Sequence, residues 1–198
     1  LMGFFENVIA SKQDFVIETG ATIYMVVVTS IIAGIIGMIV GLLLTLTKDG
    51  GLWENQKVYW FLDKVVNIFR SIPFIILLAL ISPFTRHLIG TTIGNTAAIV
   101  PLVVGSAPFY ARQIENALAE VDPGIIEAAE SMGDSPTQIV YGVYLKEGLP
   151  SILRASALTI ISLIGLTAMA GAVGAGGLGN LAITRGYNRF QNDIIIVS

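Results

Sequence analysis

The chain has 198 residues, 54% hydrophobic and 13% charged, with a formal net charge of -3 and no cysteine. A mean hydropathy of +0.78, with far fewer charges than the roughly one quarter usual in soluble domains, makes lipid the expected solvent. The missing cysteines exclude disulfides and thiolate metal sites, and the scattered lysines and arginines form no basic patch of the kind nucleic acid requires.

Three uncharged runs, residues 19–47, 87–111 and 155–184, each exceed the ~20 residues a helix needs to cross a bilayer. The first span is expected over 19–47. It would act as its own insertion signal, because Glu6 precedes Lys12 and no basic start leads directly into an apolar core. A second span is expected over 65–85, with Arg70 near one end and Pro73 inside. Pro73 removes a backbone donor and should kink the helix, freeing a carbonyl that the Arg70 guanidinium could satisfy. Arg70 lies near enough to the surface to snorkel, so a structural or headgroup role stands beside a pathway role. A short solvated turn over 82–92 would hold Arg86 and His87, the latter without a second ligand candidate for a metal. The third span, 92–112, contains Pro101, Gly105 and Pro108, which read either as packing adjustments or as places where a helix flexes. The fourth is expected over 152–175. After an external stretch, the apolar residues following Asp193 read as the start of a fifth span, 193–198. Together these make one transmembrane domain over residues 1–198, all-α and polytopic.

The polar stretch EAAESMGDSP, beginning at Glu127, lies between the third and fourth spans. From about 121 to 145 the residues favour helix but not lipid. Asp122-Pro123 supplies an N-cap acceptor and a proline at the first helical position. Gly133 ends this helix, and Asp134-Ser135-Pro136 starts a second one in the same way. Two short helices meeting at a glycine make a rigid lever with a fixed bend, suited to a groove on a partner. With this segment placed in the cytoplasm, that side collects Lys48, Lys57, Lys64, Arg70, Arg112, Lys146 and Arg154, against Lys12, Arg86, Arg185 and Arg189 outside, as the positive-inside rule prefers. The N-terminus is then outside.

The segment resembles the EAA loop of ABC importer permeases. In that family Glu-Ala-Ala, three residues, Gly, nine residues, a β-branched residue, one residue, Leu and Pro recur in order. Glu127, Ala128, Ala129, Gly133, Val143 and Leu145 stand at those spacings, while Lys146 stands where the family has proline. NIFRSIPFIILL from Asn67, PFTR from Pro83, APF from Ala107 and GAVGAGGLG from Gly171 resemble the methionine-importer permeases more than those for polar amino acids. The likeness runs from about Gly20 to Gly179.

This resemblance implies a type I importer permease: about five transmembrane helices, a second copy of the chain, and two cytoplasmic ATPase subunits that bind ATP and Mg. An external substrate-binding protein would deliver methionine, L or D, or another small amino acid or nutrient, at a bacterial cell membrane. The ATPase contact would fall on Glu127, Ala128, Ala129, Gly133 and Pro136. The chain has no G-x-x-x-x-G-K-[ST] phosphate loop, so it is expected to hold no cofactor and to be no enzyme itself. A secondary transporter would need carboxylates inside the clean spans or an internal repeat, and a membrane scaffold is the other rival.

Residues 168–177 are nearly all small, and Met169 is the one long side chain. Given the resemblance, Met169, Gly171 and Gly174 are candidates for a gate or pathway surface. The alternative is that Met169 fills an ordinary helix contact and the glycines allow close packing or a bend. Arg70, Pro73 and Pro108 are candidates for structural kinks. Gly174 to Gly179 also matches G-x-G-x-x-G, with Asp193 near the distance of a ribose-binding acid. That likeness is superficial, because the run before it is too long for a strand.

Overall fold

The computed structural model describes residues 5–198, and every regular element among them is helical. In chain order these are α1 (Glu6–Ala10), α2 (Lys12–Thr47), α3 (Gln56–Ser71), α4 (Phe74–Ile89), α5 (Asn95–Ala119), α6 (Pro123–Ser131) and α7 (Pro136–Ile139). Then come α8 (Leu145–Glu147), α9 (Leu149–Ala170), α10 (Gly177–Leu181) and α11 (Asn192–Val197). Wide π-type turns join α7 to α8 (Val140–Tyr144), follow α9 (Gly171–Ala175) and follow α10 (Ala182–Tyr187). Among the described residues three helices are long and apolar enough to cross a membrane, α2, α5 and α9 with its continuation to Ala175, and α3 with α4 meets the same measure only as a pair bent by 110°. The chain divides into two compact units, one of residues up to Ile31 with Ile72–Gly105 and Ile160–Ser198, the other of Ile32–Ser71 with Ser106–Thr159.

In the first unit α2 starts at Lys12, well before the expected residue 19, although Asp14 and Glu18 lie in that stretch. Both acids are used. Asp14 pairs with Arg185 at 2.6 Å, and Glu18 accepts the N–H of Gly177 at 2.5 Å. With their charges satisfied, nothing stops the helix there. The expected solvated turn at 82–92 is also mostly helix. α4 continues through Pro83 to Ile89 and ends at Gly90, whose φ of 85° is the left-handed cap that favours glycine. Arg86 and His87 occupy its last turn, where the Arg86 charge suits the helix dipole. The external stretch expected after residue 176 is itself largely helical, through α10 and the wide turn to Tyr187. The start of α11 is tied back to α1: the Asp193 carboxylate accepts from the N–H groups of Asn7 and Val8 and from the Asn7 side chain.

In the second unit the core is built from Leu46, Tyr110, Ile114, Leu118, Ile139 and Ile152, with their neighbours. Gly37 and Gly41 of α2 face α5 so closely that an added Cβ at Gly41 would meet the Ala111 carbonyl and Ile114. Small residues at a helix contact are the usual device for close packing in lipid. α3 starts on the Asn55 side chain, which accepts the Val58 N–H, and packs Val66 against Leu44 and Ala111.

The expected second span, 65–85, is not one kinked helix. α3 stops at Ser71 and α4 begins at Phe74, with Pro73 extended at φ -56° and ψ 134° between them. A proline disfavours helical geometry in the residue before it, and here the break is complete. Arg70 donates to the Asn67 side chain at 3.4 Å rather than to a carbonyl freed by Pro73. Pro108, by contrast, lies inside an uninterrupted α5.

Candidate functional site

The polar segment forms two short helices meeting at a sharp elbow. Asp122 caps α6 by accepting the Gly124 N–H at 2.8 Å, with Pro123 in the first position. At the other end Gly133 has φ 89°. Its N–H bonds the Glu130 carbonyl and the Asp134 N–H bonds the Ala129 carbonyl, the paired pattern of a Schellman motif. Ser135 then opens α7 with a capping box, its hydroxyl accepting from Gln138 N–H while the Gln138 side chain accepts from Ser135 N–H. Every turn in the elbow is thus satisfied by residues within a few positions.

The elbow has two faces. Glu127, Ala128, Gly133 and Pro136 are exposed, whereas Ala129 is 3% exposed and sits in the second unit's core with Leu118, Ile114 and Ile152. The inner face of the elbow therefore shares one core with side chains of α5 and α9. A groove of about 330 Å³ opens beside α6, lined by Lys48, Leu52, Pro123, Glu127, Glu130 and Tyr144. Burial, with the nearby Glu130 charge, pushes the Tyr144 hydroxyl above its ordinary pKa. After α7 the helix does not stop: the wide turn at 140–144 carries it into α8, with Lys146 helical where the family pattern has proline.

An ion network braces the same unit. Arg112 pairs with Asp63 of α3 and with Glu115 one turn on, both at 2.5 Å, and its guanidinium also reaches Asn67 at 3.3 Å. Tyr59 lies 3.5 Å from Glu115. In the charge distribution along the chain Arg112 registers only as one more cytoplasmic cation. The signal that points to the network is the pair of spacings Asp63-x-x-x-Asn67 and Arg112-x-x-Glu115, each one helical turn.

In the first unit the glycine-rich stretch breaks the helix. Gly171 is buried, with the backbone of Gly176, Gly179 and Asn180 filling the place of a side chain. Gly174, Gly176 and Gly177 all have positive φ. The Gly174 carbonyl accepts the Gly94 N–H at 3.0 Å, and α10 is capped from α2, by Glu18 on Gly177 N–H and by the Thr22 hydroxyl on Leu178 N–H at 2.9 Å. Of the two readings for these glycines, Gly174 forms a bend and Gly171 a close contact. No strand precedes the G-x-G-x-x-G match, which is flanked by helix on both sides. Met169, one residue before the end of α9, is 48% exposed.

Residues 33–197 match the family described as binding-protein-dependent transport system inner membrane component. The D-methionine transport system permease protein MetI of Salmonella typhimurium is 52% identical over 144 residues, covering 73% of this chain and 66% of the relative, so the chain spans just under two thirds of that relative's length. The methionine import system permease protein MetP of Bacillus subtilis is 50% identical over 156 residues, covering 79% of this chain and 70% of the relative. Among solved structures, one described as inward-facing conformations of the MetNI methionine ABC transporter superposes with a TM-score of 0.91 at 46% identity, over 95% of this chain and 89% of that one. With its all-helical fold, its membrane-length helices and this match over most of its length, the chain belongs to the family of binding-protein-dependent transport system inner membrane components and has the fold of a type I ABC importer permease.

Proposed function

We propose that this chain is the transmembrane permease subunit of an ATP-driven importer for methionine, with other small amino acids as the nearest alternatives. The observation that carries the reading is the elbow of α6 and α7, rigid by its own caps, exposed on one face and packed into α5 and α9 on the other. The methionine names of the relatives support the substrate.

In this reading two ATPase subunits bind ATP and Mg in the cytoplasm and grip the elbows of two permease copies related by a twofold axis. Glu127, Ala128, Gly133 and Pro136 meet the ATPase, and Ala129 passes the movement inward. ATP-driven closure of the ATPases turns each elbow, and the spans rock so that the pathway opens alternately outward and inward. An external binding protein delivers the solute. The chain itself performs no chemistry and serves as a multi-pass component of a bacterial cell membrane, with the N-terminus outside and the elbow inside.

The gate belongs to the other unit. Met169 is half-exposed just before the bend at Gly171 and Gly174, where an unbranched thioether can close a narrow gap and move aside. Pro73 and Pro108 shape their own stretches of the chain, and Arg70 stays at the cytoplasmic edge.

The test is ATP hydrolysis by the reconstituted complex with its binding protein, across a panel of amino acids. Methionine should stimulate hydrolysis above all others. Equal stimulation by unrelated amino acids would overturn the substrate, and no stimulation by any would overturn the importer.

A further inference from the structure

Helix α3 differs in chemistry from the helices that cross. From Val27 onward the exposed side chains of α2, such as Val27, Ile31, Ile35 and Ile39, are all aliphatic. On α3 the exposed stripe is Lys57, Trp60, Phe61, Lys64 and Ile68, spaced as one helical face. Trp60 and Phe61 are each 62% exposed. Aromatic rings with lysines among them suit the boundary between acyl chains and headgroups, not the hydrocarbon centre.

The position of the helix agrees with its composition. Val66 packs on Leu44, within a turn of the end of α2, and Tyr59 approaches Glu115 near the end of α5. α3 therefore lies at the level where two spanning helices finish, which is the level of a membrane surface. Its charges are sorted as well. Asp63 faces inward and is taken by Arg112, while among the described residues neither Lys57 nor Lys64 pairs with a carboxylate. Lys64 instead stands 6.0 Å over the Trp60 ring, leaving an outer face with net positive charge.

We propose that this face lies flat in the membrane interface and binds anionic phospholipid headgroups. Trp60, Phe61 and Ile68 enter the acyl boundary, and Lys57 and Lys64 meet the phosphates. The proposal rests on the membrane reading above, and the lysines then face the cytoplasmic leaflet, whose anionic lipids attract basic residues by about fivefold each.

The test uses the whole transporter in nanodiscs. The emission of Trp60 is isolated as the difference between the W53F and W53F/W60F variants. Phosphatidylcholine brominated near the headgroup should quench it more than phosphatidylcholine brominated at the chain end. A minor fraction of brominated phosphatidylglycerol should quench it severalfold more than random mixing gives, and K57Q/K64Q should remove that excess. No quenching by any brominated lipid would mean that water, a second copy or another protein covers the face, and would overturn the proposal. Quenching without a preference for phosphatidylglycerol would overturn the headgroup site. Neither readout depends on the solute carried, so an importer of something other than methionine leaves the expected result unchanged.

Discussion

The elbow at 122–138 and the glycine break at 171–181 both turn the backbone at positive-φ glycines, yet they are stabilised in opposite ways. The elbow is closed by its own neighbours: Asp122 two residues from Gly124, Gly133 bonded to Glu130, Ser135 and Gln138 in a reciprocal box. The break is closed from far along the chain, by Glu18 and Thr22 on α2 and by Gly94. A locally capped element can move as a rigid piece, which is what a lever needs. An element capped by another helix changes shape when that helix shifts, which is what a gate needs.

The largest effect should come from the break. At Gly171 a Cβ would meet the backbone of Asn180, Gly176 and Gly179, which cannot rotate away. Gly171→Ala should therefore cost roughly 3 kcal/mol, seen as a marked fall in thermal stability of the purified transporter. Gly165→Ala, in the preceding helix α9 but with open space around it, should change stability by less than about 1 kcal/mol. Equal effects at the two positions would mean that the break is not tightly packed.

Removing the remote cap should come next. Glu18→Ala leaves the Gly177 N–H without its charged acceptor and should cost about 2 kcal/mol, while Glu18→Gln keeps an acceptor oxygen and should cost less. Hydrogen exchange should then rise in residues 176–181 and in α2 together. Smallest is the local cap: Ser135→Ala should cost about 1 kcal/mol and raise exchange in residues 136–139 alone. If its effect spread into α5 and α9, the elbow would not be a self-contained piece.

The same contrast explains what can be read from the sequence. Caps that close within a few residues leave a pattern, so the residue types at Asp122-Pro123, Gly133 and Ser135-Pro136 are enough to mark both short helices. Glu18 reads only as the charge that ends an apolar run, because its partner Gly177 is 159 positions away. For that reason α2 is longer than hydropathy indicates. Pro73 is legible as a disruption, but not whether it kinks or breaks, since that depends on whether α3 has its own partners; Asp63 with Arg112 and Val66 with Leu44 supply them. Pro83 is the converse case, a proline in an expected turn that the helix instead carries through.

The elbow is proposed to transmit ATPase movement into the spans, and Gly133→Pro breaks it at its hinge. Proline cannot adopt the φ of 89° found at this position and has no N–H for the Glu130 carbonyl. The measurement is binding-protein-dependent methionine uptake into proteoliposomes holding the permease and its ATPase, with insertion of the variant confirmed. If the elbow transmits the movement, uptake falls to background and ATPase retention on the permease falls with it. Wild-type uptake by a correctly inserted Gly133→Pro transporter would contradict it.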